Sequence, residues 1–336
     1  MLFNHFLGID VSKQTLDYAL LDQQGHLKAQ GQIANAQNAI EHLLQELDQR
    51  FALQPTTTLI CLEHTGIYSN HLLEVFTQPI YCVWLQSGKQ IRYSMGVHRA
   101  KTDSADALNI ARYAHRHHPQ ARLWKPETKL LTSLKALTSL RSRLLLAANT
   151  LKQPLKEAKA FMDKSILKSL EKATASSVKA LEKDLEAVNN QIESLITSDP
   201  ELNRLFSLLL SIVGIGTVTA TGLILATNAF TDGKTAKQFA CYAGVAPFPY
   251  QSGSSIRGRT RVSPIADKSM KTLLHLSAMS AIRAKGELQD YYQRKVKEGK
   301  NKMAVLNAVR NKLVLRAYAV VSKNQEYNKT YTYALA

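Results

Sequence analysis

The feature that most constrains this chain is the succession of short apolar runs through its first 127 residues. "HFLGIDVS" and "TLDYALLD" lie a few residues apart, "QQG" follows as a turn, and "HLKAQGQIA" pairs back. Runs of this length, bounded by turn residues, read as strands rather than helices. A helical stretch "NAIEHLLQELDQRF" comes next, then a buried strand in "TTTLICLEH" and a helical "GIYSNHLLEVF". Another strand in "IYCVWLQ" and a helix opening near "KTDSADALNIARYAHR" close the region. Hairpin-linked strands followed by strand–helix alternation predict a mixed α/β sheet over residues 1–127.

Residues 128–200 change character. Leu130, Leu134, Leu137, Leu144 and Leu151 fall four, three and then seven apart until Pro154 interrupts them. Val178, Leu181, Leu185, Val188, Ile192 and Leu195 then repeat with a 3-4 alternation flanked by Lys and Glu. That seam is the pattern of a coiled coil or of a long helical pair within one chain. Residues 201–336 read as mainly helical, apart from a Gly/Pro/Ser-rich segment at 244–264. The uncharged run 205–230 is long enough to cross a bilayer. Gly214 and Gly216 split it, however, and Ser211, Thr217, Thr219, Thr221 and Asn228 dot it, so two buried helices joined at "GIG" are expected. The "VGIG" turn reads equally as a phosphate-contacting helix-hairpin-helix turn or as a close-packed core hairpin.

Charge narrows the partner. Forty-three Lys+Arg against 26 Asp+Glu give +17, and residues 251–316 alone hold 15 Lys+Arg against 4 Asp+Glu. Such a surplus favours a polyanion, nucleic acid first, because each base that meets a phosphate releases a condensed counterion. Cys61, Cys82 and Cys241 show no ligand spacing and read as thiols in a reducing compartment, the cytoplasm. The start "MLFNHFLGIDVS" lacks a basic stretch and runs straight into a strand, so no leader peptide is expected.

Four carboxylates occupy distinctive places. Asp10 closes "FLGID", Glu63 ends "TLICLE", and Asp103 and Asp106 stand at i and i+3 in the first turn of the helix at "KTDSADA". Individually each has a bland reading, as a turn residue or as a helix-start acid favoured by the dipole. Together, two strand-end acids and an acidic pair on one helix face are placed to meet at the carboxyl ends of neighbouring strands. Four such groups remain ionised together only around a cation, and an all-oxygen set suits Mg²⁺ or Mn²⁺. Structural acids and a metal cluster both stay open on spacing alone.

The ordered motifs "GIDVSK", "LEHTGIY", "KTDSADA", "SIVGIGTVTA", "YAGVAP" and "YQSGSSIRGRTRVS" span nearly the whole chain. In that order they resemble the DEDD-type transposases and site-specific recombinases, the family of the Piv DNA invertase and the bridge-RNA-guided insertion-sequence recombinases. The resemblance implies a RuvC-like, RNase H-like domain over 1–127 whose Asp10, Glu63, Asp103 and Asp106 bind divalent metal. It also implies a helical coiled-coil region over 128–200 and a mainly helical transposase domain over 201–336. The family's nucleophilic serine, which joins covalently to a DNA 5′ phosphate, falls on Ser252 in "QSG". Tyr68 matches a family position near the metal site. Ser263, Pro264, Ile265 and Ala266 depart from the family's Ser-Lys-x-Gly, and Met270-Lys271 stands where Leu-Arg is frequent.

Residue chemistry agrees with that serine. A hydroxyl is a weak nucleophile at neutral pH and needs a base or nearby positive charge. Gly253 allows a tight turn beside it, and Arg257, Arg259 and Arg261 can neutralise non-bridging phosphate oxygens, with Lys271 a further nucleic-acid contact. The implied function is DNA transposition or inversion by metal-dependent transesterification, with DNA as partner, a guide RNA as a second nucleic acid, and a homo-oligomer (dimer or tetramer) as the working form. Two other readings compete. A junction-resolving nuclease would use the same acids to activate water, and a basic architectural protein would bind nucleic acid without chemistry. "HRHH", residues 115–118, reads as a solvated or phosphate-facing helix end before it reads as a metal site.

Overall fold

The computed structural model describes residues 2–63, 65–77, 81–94, 103–252 and 256–328. It divides into two compact units, Met1–Pro126 and Glu127–Ala336. In the first, β1 (His5–Val11), β2 (Thr15–Asp22) and β3 (Leu27–Ala34) form an antiparallel meander. Helix α1 (Gln37–Phe51) leads to β4 (Thr58–Glu63), and α2 (Asn70–Val75) to β5 (Cys82–Gln86). Helices α3 (Gly88–Ser94) and α4 (Asp103–His117) follow. The sheet order is β3-β2-β1-β4-β5, with β4 parallel to both β1 and β5.

Two apolar layers sandwich this sheet. Leu7, Ile9, Leu16, Leu20, Ile60, Leu62 and Val83 meet Ile40, Leu43, Leu44 and Leu47 of α1 on one face. Phe6, Ala19, Leu21, Leu59, Cys61 and Trp84 meet Ala107, Ile110, Ala111 and Ala114 of α4 on the other. The two-residue period of each strand sends alternate side chains to the two layers. Strand β4 is buried on both faces up to its last residue, which is why its sequence is one continuous apolar run. The free thiols of Cys61 and Cys82 are buried in the α4 layer, and burial pushes the Cys61 thiol well above its ordinary range.

The second unit opens with two long helices, α5 (Lys129–Ala158) and α6 (Lys164–Ser198). They pair antiparallel, with Arg141 Nε donating to Asn189 Oδ1 at 2.7 Å and Lys152 meeting Glu182 at 2.6 Å. Pro154 was expected to interrupt the first of them, yet α5 continues through it to Ala158. Its ring removes one backbone donor, and packing against α6 carries the helix past it. Val188 and Ile192 of the predicted seam are buried.

Helices α7 (Pro200–Leu210) and α8 (Thr217–Ala226) follow, so the uncharged run is two helices as expected. No helix among the described residues is long and apolar enough to cross a membrane. Gly214 turns the chain between them at φ +96°, and a Cβ there would lie 2.6 Å from both Ser277 O and the Ala281 side chain. That contact makes this half of "VGIG" a close-packed core hairpin. Helix α9 (Ala236–Tyr242), a hairpin of β6 (Pro247–Ser252) and β7 (Ile256–Val262), and α10 (Lys268–Ala281), α11 (Glu287–Lys297) and α12 (Lys302–Lys323) complete the unit. The segment 244–264 carried no expected strand, so β6–β7 is a correction. Its serines and glycines crowd the tip, while "IRGRTRV" alternates as a strand does.

Candidate active site

The carboxylate edge is built by register. Ile9 pairs with Leu62, so Asp10 and Glu63 follow side by side at the carboxyl ends of β1 and β4. Phe6 and Gly8 face α4, and by the period of two Asp10 faces it too. Leu59 and Cys61 place Glu63 on the same face. Both acids are half-buried.

The direction of α4 can be read from its contacts. A Cβ on Gly8 would lie 2.3 Å from Ala111 N and 2.4 Å from Ala107 O, so the helix backbone is seated directly on β1. Further along α4, the His115 ring stacks edge-on against Phe6 with centroids 5.0 Å apart, and His118 reaches both Phe6 and Phe3. The helix therefore runs antiparallel to β1, and its first turn lies toward the strand end that carries Asp10. Asp106 is half-buried in that turn, and Asp103 is the first helical residue, its side chain outside the described set. A Cβ on Gly88 would fall 2.0 Å from Glu63 Oε1, so the start of α3 is the floor on which the Glu63 carboxylate rests.

The donor set at this edge is all oxygen, which fits a hard divalent cation. Among the described residues no three His, Cys, Asp or Glu side chains stand close enough to hold one ion, Asp103 not being among them. The register also exposes an acid that sequence reasoning missed. Asp17 pairs directly with Asp10 across the β1–β2 ladder, shares the α4 face, is only 5% exposed, and accepts from Gln32 Nε2 at 3.0 Å. Its signal was present in "TLDYALLD", a carboxylate inside an apolar run, but its partner could be known only after pairing.

The histidines of "HRHH" are engaged in packing rather than gathered on a metal. His115 Nε2 lies 3.1 Å from Gln23 O, His118 Nδ1 lies 2.8 Å from His115 O, and the His117 ring leans on Tyr113 at 4.8 Å. Tyr68 is exposed in a short 3-10 turn, and its carbonyl accepts from Asn35 Nδ2 at 2.9 Å.

In the second unit, Ser252 is the last residue of β6 and pairs with Ile256 across the hairpin tip. Gln251 pairs with Arg257 and Tyr250 with Gly258, and after an irregularity Phe248 pairs with Arg261. One extra residue in β7 thus brings Arg261 into the row of cross-strand pairs that contains Ser252, whereas Arg257 sits in the other row. Arg261 is exposed. Residues 253–255 and the side chains of Ser252, Arg257 and Arg259 lie outside the described set. The root of the hairpin is anchored twice. Tyr242 donates from its hydroxyl to Asp267 Oδ2 at 2.8 Å, and the same carboxylate caps α10 through Met270 N at 2.7 Å. Asn307 of α12 donates from Nδ2 to Val245 O at 2.8 Å.

Comparison with known proteins places the chain among DNA-recombining proteins. Residues 7–159 match a model described as Transposase, of the DEDD type, and residues 206–293 match the Transposase IS116/IS110/IS902 family. The chain belongs to that transposase family. It is 28% identical over 334 residues to the pilin gene-inverting protein of Moraxella bovis, covering 96% of this chain and 98% of that one. The Moraxella lacunata counterpart is 27% identical over the same length. An insertion element IS110 uncharacterized 43.6 kDa protein of Streptomyces coelicolor is 31% identical over 140 residues, 41% of this chain and 33% of that one.

Proposed function

We propose that this recombinase cuts and rejoins DNA by transesterification through Ser252, supported by Mg²⁺ or Mn²⁺ on Asp10, Glu63, Asp103 and Asp106. The observation that carries the reading is the shared edge: Asp10, Glu63 and the first turn of α4 lie at one end of one sheet. We read that sheet as RNase H-like (RuvC-like), the α5–α6 pair as the family's coiled-coil region, and the remainder as its transposase domain. A divalent ion held by the carboxylates would neutralise charge on the scissile phosphate. Ser252 Oγ forms the new bond to phosphorus as the P–O3′ bond breaks. The serine proton passes to the departing 3′ oxygen, which leaves as a hydroxyl. Arg257, Arg259 and Arg261 meet the non-bridging oxygens, and Lys271 contacts the backbone beyond. Attack by another 3′ hydroxyl reverses the step, so rejoining requires no nucleotide cofactor.

The working form in this reading is a homo-oligomer. Phe161 and Ile166, at the turn between α5 and α6, are 93% and 54% exposed, apolar side chains of the kind that association can cover. A guide RNA selects the target if ribonuclease treatment of the purified complex abolishes recombination. The test of the chemistry is made in cells, with the gene and its flanking DNA on a plasmid. Sequencing for new junctions in wild type, Ser252→Ala and Asp10→Ala should find them in wild type alone. Recombination by Ser252→Ala would remove the serine from the mechanism, and cleavage without joining in that variant would turn the reading into a water-using nuclease.

A further inference from the structure

Arg310 of α12 is only 6% exposed, yet among the described residues no carboxylate pairs with it. Its Nη2 donates to His275 Nδ1 at 2.6 Å and its Nη1 reaches Asn307 Oδ1 at 3.4 Å, while its buried Nε has no partner among the described residues. A buried cation without a counter-charge is unfavourable for stability, which marks Arg310 as a candidate for a functional role. A guanidinium only donates, so His275 Nδ1 must be an acceptor and the imidazole proton must sit on Nε2. Burial, then the neighbouring Arg310, hold the His275 pKa below its ordinary value, which keeps the ring neutral at pH 7.

His275 is half-exposed, and among the described residues nothing bonds its Nε2. Lys271 lies one helical turn earlier on the same face of α10. Its stem crosses Gly244, where a Cβ would come 3.6 Å from Lys271 Cδ and 3.8 Å from Nζ. Gly244 holds φ +64° just before Val245, whose carbonyl is bonded by Asn307 beside Arg310. Lys271, His275 and Arg310 therefore line the root of the hairpin that carries Ser252, with two donors outward and one cation behind.

We propose that Lys271 and the Nε2–H of His275 hold a DNA phosphodiester at the root of the Ser252 hairpin, with Arg310 as the positioning residue that fixes the imidazole tautomer. This inference rests on the DNA-recombination reading. The pair of donors sets the backbone register of the strand that enters the hairpin, and the field of the buried guanidinium strengthens both contacts.

Two substitutions at one position separate this role from a structural one. His275→Asn keeps an acceptor near Nδ1 for Arg310 and removes the outer donor. His275→Gln keeps a donor near Nε2 and leaves Arg310 without its acceptor. Binding of a labelled DNA duplex to the full chain is followed by fluorescence anisotropy across a salt series, alongside thermal melting. His275→Asn should melt like wild type and bind about fivefold more weakly, with an unchanged salt slope because a neutral donor displaces no counterion. His275→Gln should melt lower and bind within about twofold of wild type where folded. Lys271→Gln should reduce the salt slope by about one. Wild-type binding by His275→Asn overturns the proposal, as does a loss in both His275 variants that simply follows their melting. The same titration is run with a labelled RNA hairpin, and a loss confined to that probe overturns the assignment to DNA. Failure of the wild-type chain to bind duplex at all would instead sink the DNA-recombination reading, and this inference with it.

Discussion

The two edges proposed to carry the chemistry are held in place by different means. Asp10 and Glu63 close strands whose preceding residues are nearly all buried, and Gly8 and Gly88 let a helix backbone and a carboxylate approach to contact. The Ser252 hairpin has only two strands, and Phe248, Gln251, Gly258 and Arg261 are exposed. A two-stranded ribbon is marginal alone, so its position depends on its root at Tyr242–Asp267 and Val245–Asn307. The difference fits the tasks proposed for them. A metal-binding set needs oxygens fixed by a core, whereas a nucleophile has to stand out where a duplex can reach it.

Substitutions can break this contrast, beginning with the largest effect. Gly8→Ala puts a methyl against the backbone of Ala107 and Ala111, which cannot yield as a side chain can. A loss of about 3 kcal/mol or more in urea unfolding is expected, and an unchanged midpoint would show that α4 is not seated on β1. Gly88→Ala displaces only the Glu63 carboxylate, whose side chain can swing away. Far-UV circular dichroism should stay native while junction formation in cells falls on the order of 100-fold, the cost of a small misplacement at a reacting centre. Wild-type recombination would mean that the position of Glu63 does not matter.

Smaller effects belong to the second unit and to pH. Ser277→Ala removes the partner of the buried Thr219 hydroxyl, 2.8 Å away, and should cost about 1–2 kcal/mol in the same unfolding assay. Arg261→Gln should leave stability within about 0.5 kcal/mol and lower the salt slope of duplex binding by about one. An effect on stability instead would make Arg261 part of the hairpin's packing. The smallest change concerns His5, whose pKa burial depresses below its ordinary value, with Asp22 opposing and Lys28 assisting. The unfolded chain takes that proton first, so stability is full above the ordinary value of 6.5 and declines as pH falls through it. Melting at about pH 7.5 and pH 5.5 should show a modest decline that His5→Leu reduces.

Much of the first unit was legible because local patterns agree with the global fold. The runs "FLGID" and "TLICLE" announce strands and put an acid at the end of each, and β3 and α1 fall where their periodicities place them. The pairing of β1 with β4 was not legible, since it joins segments some fifty residues apart and is decided by the core between α1 and α4. For the same reason Asp17 went unnoticed beside Asp10. The β6–β7 hairpin was hidden by composition, because the glycines and serines of its tip dominate the segment while its strands are short. Arg310 could not be singled out among fifteen basic residues between 251 and 316, for burial is a property of packing that charge counts do not carry.

The central claim is that Ser252 becomes covalently joined to DNA with the help of the carboxylate edge. The most direct measurement is mass spectrometry of the full chain after reaction with its flanking DNA, stopped in detergent and digested. The account predicts a nucleotide-bearing peptide that contains Ser252, formed in Mg²⁺ and lost in both Ser252→Ala and Asp10→Asn. Cleaved DNA with a free 5′ phosphate, or an adduct on any other residue, would contradict it.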